Sequence, residues 1–187
     1  MISRFRRFVL EHRLFEPDDT VLLAVSGGID SMVMWDLFQR AGYHHAVIHC
    51  NFQLRGEDSD GDEEMVRNLA AERKIRFFAS RFDTSEYATA KGVSIEMAAR
   101  ELRYDWFEEV VAAHRFSCLA TAHHRDDLLE TFFINLVRKT GIRGLTGFRE
   151  KTGKLIRPML FTNRKEIELW ASENGVSYRH DLTNDET

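Results

Sequence analysis

The run Thr20-Val-Leu-Leu-Ala-Val25 leads without a spacer into Ser26-Gly-Gly-Ile-Asp-Ser31. Unbroken apolar character after Thr20 reads as a strand buried on both faces, the pattern of a parallel sheet. The glycines allow a sharp turn, and Met32–Arg40 reads as a helix that stops at Gly42. A strand, a tight turn and a helix in that order direct the chain toward an α/β fold. The same alternation continues. Strands are expected at Thr20–Val25, His45–His49, Ile75–Phe82, Ser117–Thr121 and Leu155–Met159. Helices are expected over 2–13, from Glu57 to about Lys74, after Thr84, from a Ser94 cap to about His114, over Asp126–Val137 and after Asn163. Glu166 stands at the capping-box position of the last helix. The expected fold is therefore a parallel sheet covered by helices on both faces.

The chemistry of the turn is specific. Glycines let a backbone approach an anion, and the free N–H groups of the helix start donate to it. Ser26 and Ser31 add hydroxyl donors. The loop is not a Walker A loop, because no Gly-Lys-Ser/Thr follows, and it is not the dinucleotide GxGxxG. Asp30 stands out, since a carboxylate beside a phosphate repels it unless a cation lies between. Asp30 is thus a candidate ligand for Mg2+ bridging pyrophosphate. The structural alternative is a Gly-Gly turn with Ser and Asp as helix caps.

Composition narrows the class. The chain has 187 residues, one domain's worth, and no stretch of 18 apolar residues that would cross a membrane. The N-terminal MISRFRRFVLEHRLF carries too many charges for a secretory signal, so the expected compartment is the cytoplasm. Cys50 and Cys118 form no CxxC, which disfavours a disulfide framework or a cysteine zinc site. The net charge of −4 argues against a generic nucleic-acid binder. Between Arg138 and Lys165, however, nine Lys/Arg face the single acid Glu150. That basic block suits a phosphate-rich partner at one face, or a solvated surface.

SGGIDS resembles the PP-loop of the N-type ATP pyrophosphatases. Further segments resemble the tRNA(Ile)-lysidine synthase family: HCNFQLRGEDSDGDEE, SIEMAARELRYDWF, ATAHHRDDLLETFFINLVRKTGIRGLTGF, IRPML and RHDLTNDET. The resemblance covers about residues 20–187. It implies a five-stranded parallel sheet of the adenine nucleotide alpha hydrolase type, with ATP and Mg2+ as cofactors. It implies adenylation of the 2-carbonyl oxygen of a wobble cytidine in the anticodon loop of isoleucine tRNA. Free L-lysine then displaces AMP. It also implies that residues 1–187 are a PP-loop catalytic domain ahead of C-terminal tRNA-binding domains. No membrane is expected as a partner, and the oligomeric state stays open, a homodimer being one option.

The resemblance distributes roles along the chain. Ser26, Gly27, Gly28, Ile29, Asp30 and Ser31 would hold the nucleotide, and Asp30 the metal. Asp127 and Glu130, three apart on a helix, face one side; one would bind Mg2+ and the other the lysine amine, unassigned between them. Arg100 and Arg103 become candidates for phosphate or carboxylate contact, with Glu96–Arg100 surface pairing as the alternative. His49, Asn51 and Arg55 frame the loop after the second strand, where His49 and Asn51 would face the nucleotide and Arg55 the tRNA. Phe52 replaces the histidine more familiar there, and either stacks on a base or packs. His123 reads as a nucleotide-side residue or a structural one. Arg138, Lys139, Arg143 and Arg149 are candidates for tRNA phosphates. The alternatives are a PP-loop tRNA thiolase, an amide-forming PP-loop ligase, and a nucleotide- or RNA-binding protein without catalysis.

Overall fold

A computed structural model describes residues 1–137 and 149–179. Its strands are β1 (Val21–Ala24), β2 (His45–Asn51), β3 (Phe77–Arg81), β4 (Cys118–Ala120), β5 (Lys151–Thr152) and β6 (Leu155–Ile156). Its helices are α1 (Ile2–Glu11), α2 (Ile29–Ala41), α3 (Glu57–Glu72), α4 (Thr84–Lys91), α5 (Ile95–Ala113), α6 (Arg125–Val137) and α7 (Arg164–Asn174). The sheet order is β3-β2-β1-β4-β6-β5. β1 is central and pairs in parallel with both β2 (Val21 opposite His45) and β4 (Val21 opposite Cys118).

Five strands run parallel, as expected, but the sheet has six. β5 is antiparallel to β6 and only two residues long, with Lys151 opposite Ile156. It lies inside the basic block that runs from Arg138 to Lys165, just before the strand expected at Leu155. Two residues are too few for a periodicity to register, and Gly153 at φ +58° supplies the turn that joins them.

Alternation along β1 divides the core in two. Leu23 packs with Val47, Phe5, Trp35, Phe38 and Ile167, beneath α1, α2 and α7. Leu22 packs on the opposite face with Ile48, Phe107 and Val111, beneath α5. Trp35 is fully buried and donates its indole N–H to His45 Nε2 at 3.0 Å, so His45 keeps its proton on Nδ1, bonded to Tyr43 O. Ser94 caps α5 by accepting the Met97 N–H at 3.2 Å, and Asn163 caps α7 by accepting the Glu166 N–H at 3.0 Å. The Glu166 carboxylate does not close a capping box. It accepts instead from Thr162 Oγ1 at 2.7 Å and from Arg4 of α1, tying the first helix to the last. Among the described residues no helix is long and apolar enough to cross a membrane.

The chain leaves β1 for β2 on one side, while β4 adds on the other. The crevice above the carboxyl ends of β1 and β4 is thus a topological switch point, the place where open α/β sheets hold ligands.

Candidate functional site

A cleft of about 420 Å³ opens at this point. Its floor is the turn after β1, with Ser26, Gly28, Ile29, Asp30 and Ser31 on the wall. Cys50 and Phe52 come from the end of β2, and Thr121, Ala122 and His123 from the end of β4. Arg103 and Tyr104 of α5, Asp127 of α6, Arg164 of α7, and Tyr178 and Arg179 complete it.

The turn is held by its own side chains. Ser31 Oγ accepts the Ser26 N–H at 3.1 Å and donates to Gly28 O at 2.9 Å. Ser26 Oγ accepts the Gly28 N–H at 3.3 Å and lies 3.1 Å from Ser31 Oγ. Gly27 sits at φ +97°, a conformation that glycine adopts without strain. Gly28 is the N-cap of α2, so the helix begins at the cleft and its first N–H groups look into it. The serines brace the turn on the cleft wall, but neither caps α2, whose N-cap Gly28 has no side-chain cap hydrogen bond.

Asp30, in the first turn of α2, is part-buried. Burial pushes its carboxyl above the usual carboxylate range, against the pull of the Arg164 guanidinium and of His124. Arg164 Nη1 donates to Oδ2 at 3.0 Å, and His124 Nε2 is 3.6 Å from Oδ1. Oδ1 itself is buried with no hydrogen bond among the described residues. A buried carboxylate oxygen without a donor is one that a bound cation or water would satisfy. Asp127 stands nearby on the same wall, its Oδ2 accepting the His124 N–H at 2.7 Å. Among the described residues no three His, Cys, Asp or Glu side chains gather as a metal cage. Two carboxylates facing an anion site fit Mg2+, which takes one or two carboxylates and completes its shell with phosphate oxygens and water.

The other candidates fall in different places. His49 is buried and donates its Nδ1–H to Val25 O at 2.8 Å, and burial pushes its imidazole pKa down. Asn51 is buried too, its amide donating to Asp60 and Glu63 of α3 at 2.9 and 3.0 Å. Glu63 also accepts from Arg67 and Arg81. These two residues brace β2 against its neighbours and are not among the residues lining the cleft. Arg55 pairs with Asp62 of α3 at 2.8 Å. Arg103 lies over the Phe52 ring at 5.1 Å, and Phe52 stacks on Phe82 with centroids 5.7 Å apart. Phe52 thus both packs and fronts the cleft. Arg100 is exposed and lies over Tyr104. His123 Nδ1 is 2.9 Å from Thr121 Oγ1, and burial lowers its pKa, leaving a neutral ring on the wall. Glu130 is exposed one turn beyond Asp127. Arg149 is exposed, its carbonyl accepting from Arg157. Arg138, Lys139 and Arg143 lie outside the described residues.

Sequence reasoning missed Arg164, Tyr178, Arg179 and His124. Arg164 and Arg179 sit in segments whose local pattern signals only a helix start and a polar tail. Their nearness to the turn comes from tertiary folding across well over 100 positions.

A family model described as the PP-loop domain matches residues 2–187. The chain is 46% identical over 182 residues to the tRNA(Ile)-lysidine synthase of Bacteroides thetaiotaomicron, covering 97% of this chain and 43% of that one. It is 45% identical over 187 residues to that of Chlorobaculum tepidum, covering 98% and 56%. The chain thus spans about half the length of the curated relatives it matches. Among solved structures, the U34-tRNA thiolase NcsA from Methanococcus maripaludis superposes with a TM-score of 0.76 at 19% identity, covering 95% of this chain and 64% of that one. The NH3-dependent NAD synthetase from Campylobacter jejuni gives 0.61 at 15%, covering 92% and 71%. Both share the fold. With the match running from Ile2 to the last residue, this chain belongs to the PP-loop domain family.

Proposed function

We propose that this chain is the PP-loop catalytic domain of an ATP-dependent ligase that converts the wobble cytidine of isoleucine tRNA to lysidine. One observation carries the chemistry: the buried, donor-free Oδ1 of Asp30 beside the glycine turn, where a cation and a polyphosphate would meet. The tRNA substrate is inferred from the relatives, which carry that name at up to 46% identity.

ATP would lie with its β- and γ-phosphates on the turn, where the first amides of α2 and the hydroxyls of Ser26 and Ser31 hold the departing pyrophosphate. Asp30 and Asp127 would hold Mg2+, which supplies charge neutralisation along the triphosphate. Arg164, now paired with Asp30, stands where a phosphate oxygen could replace that carboxylate oxygen. The carbonyl oxygen of cytidine is a weak nucleophile, so alignment with the α-phosphorus must supply much of the rate. With Asp127 on the metal, the lysine ammonium would be drawn to the Glu130 carboxylate and must lose a proton before its amine displaces AMP. Arg138, Lys139, Arg143 and Arg149 would contact tRNA phosphates.

Sulfur transfer is disfavoured. Cys50 lines the cleft, but burial pushes its thiol up to about 12, far from the range of a reactive thiolate.

The test combines the protein with ATP labelled at the α-phosphate, an unmodified isoleucine-tRNA transcript and free lysine. With tRNA alone the label should pass to the tRNA as adenylated cytidine, and labelled AMP should appear only when lysine is added. Release that needs ammonia and a small acid but no tRNA would replace this reading with an amide ligase, and sulfur incorporation would replace it with a thiolase.

A further inference from the structure

The segment after α7 returns across the turn that follows β1. The Arg179 N–H donates to Gly27 O at 3.0 Å. Its guanidinium reaches the other way, to α3, where Nη2 donates to Asp58 Oδ1 at 3.0 Å and Nε pairs with Asp62 Oδ1 at 2.8 Å. The second oxygen of Asp62 takes Arg55 at 2.8 Å. Asp62 is 8% exposed, so this carboxylate is satisfied from two arginines inside the structure.

One glycine makes room for the arrangement, and a second rests against it. A Cβ on Gly61 would stand 2.5 Å from Arg179 Nη1, so glycine in the middle of α3 clears the berth for the guanidinium. A Cβ on Gly27 would meet Asp62 Cβ at 3.4 Å, so the turn rests against the same acid that grips Arg179. The turn is thus held between α3 and residues 176–179.

The consequence lies in the peptide plane. A trans peptide directs its C=O and its N–H to opposite sides. Anchoring Gly27 O on the Arg179 amide therefore aims the Gly28 N–H away from Arg179, toward the Ser26 hydroxyl and the cleft that Gly28 lines. We propose that Arg179 is a positioning residue: by gripping Asp58 and Asp62 it clamps its own backbone against Gly27 and fixes the orientation of the Gly27–Gly28 peptide for pyrophosphate. This rests on the nucleotide reading given above, though the clamp itself can be measured without nucleotide.

The experiment uses Arg179→Ala, Arg179→Lys and Asp58→Asn in the full chain. Amide exchange at Gly28 and Ile29 is followed without nucleotide, and binding of adenosine and of a non-hydrolysable MgATP analogue is measured by calorimetry. Arg179→Ala should speed exchange at these amides and weaken the analogue about tenfold, the loss of one hydrogen bond to a charged group, while adenosine binding is unchanged. Arg179→Lys should recover part of the loss, and Asp58→Asn should fall between. Unchanged exchange in all three variants overturns the proposal, as does an equal loss for adenosine and the analogue. If the wild-type protein binds no analogue, the functional reading fails, and the exchange data alone still decide the clamp.

Discussion

Gly27 and Gly28 are neighbours in sequence with opposite requirements, and substituting each by alanine separates fold from function. Gly27 lies at φ +97°, outside the regions open to a residue with a Cβ. Holding alanine there costs about 1–3 kcal/mol. Contacts at 3.4 Å with Asp62 Cβ and Met65 Cε are ordinary packing and add little. For a domain of this size each kcal/mol lowers Tm by about 2–4 °C, so a cost near 2 kcal/mol gives a drop of roughly 4–8 °C. Gly28, at φ −74° and ψ 159°, is in a conformation any residue adopts, and its Cβ would meet only Ser26 Oγ, at 3.5 Å. Alanine there gains up to about 1 kcal/mol from a stiffer unfolded chain and loses a similar amount as a poorer N-cap. The expected Tm change is within about 2 °C, yet the methyl group stands where the backbone must approach phosphate. Circular dichroism melts of both variants, with calorimetric binding of an MgATP analogue, should give a destabilised Gly27→Ala and a stable, non-binding Gly28→Ala. Equal Tm losses, or tight binding by Gly28→Ala, would refute the argument.

Other expectations follow from the same geometry. Hydrogen bonding from Arg4, aided by Thr162, holds the Glu166 carboxyl at about 2 despite partial burial. A carboxyl depressed in the folded state stabilises above its unfolded value near 4.5, and that contribution is lost as pH falls toward 2. Glu166 is about a third exposed, so Glu166→Gln should cost only about 1 kcal/mol near neutrality, with the Tm difference from wild type closing between pH 5 and 2. Asp30→Asn should abolish pyrophosphate release without lowering Tm at pH 7. Burial already opposes ionisation of Asp30, and a group raised in the folded state loses its contribution to stability as pH climbs through the folded value. A lower Tm or surviving release would contradict this. Arg138→Glu with Lys139→Glu should weaken tRNA binding and flatten its salt dependence in filter binding, leaving ATP affinity alone; weakening that salt does not affect would remove their phosphate role.

What the sequence made legible was local. The turn at 26–31, the Ser94 and Asn163 caps and the alternation of strands and helices each rest on residues adjacent in the chain. The part of the cleft read in advance came from motif residues at strand ends. Arg164 carries no such mark, because an arginine at a helix start gains meaning only from what the fold sets opposite it, and Arg179, though it opens the RHDLTNDET segment, takes no role from it. His49 and Asn51 show the converse. Their place after a central strand suggests ligand contact, but side chains alternate along a strand, and these two turn to Val25 O and to α3.

The bond between Gly27 and Arg179 joins positions 152 residues apart. On a ribosome adding about 5–20 residues per second, the glycine turn waits roughly 8–30 s for the arginine that braces it. A nascent chain displays β1 and α2 early but acquires a finished phosphate seat only near the end of synthesis of this region. On the nucleotide reading, loading would be a late event in the protein's birth, and a ribosome stalled between residues 156 and 179 would have made all six strands while the loop stayed unbraced.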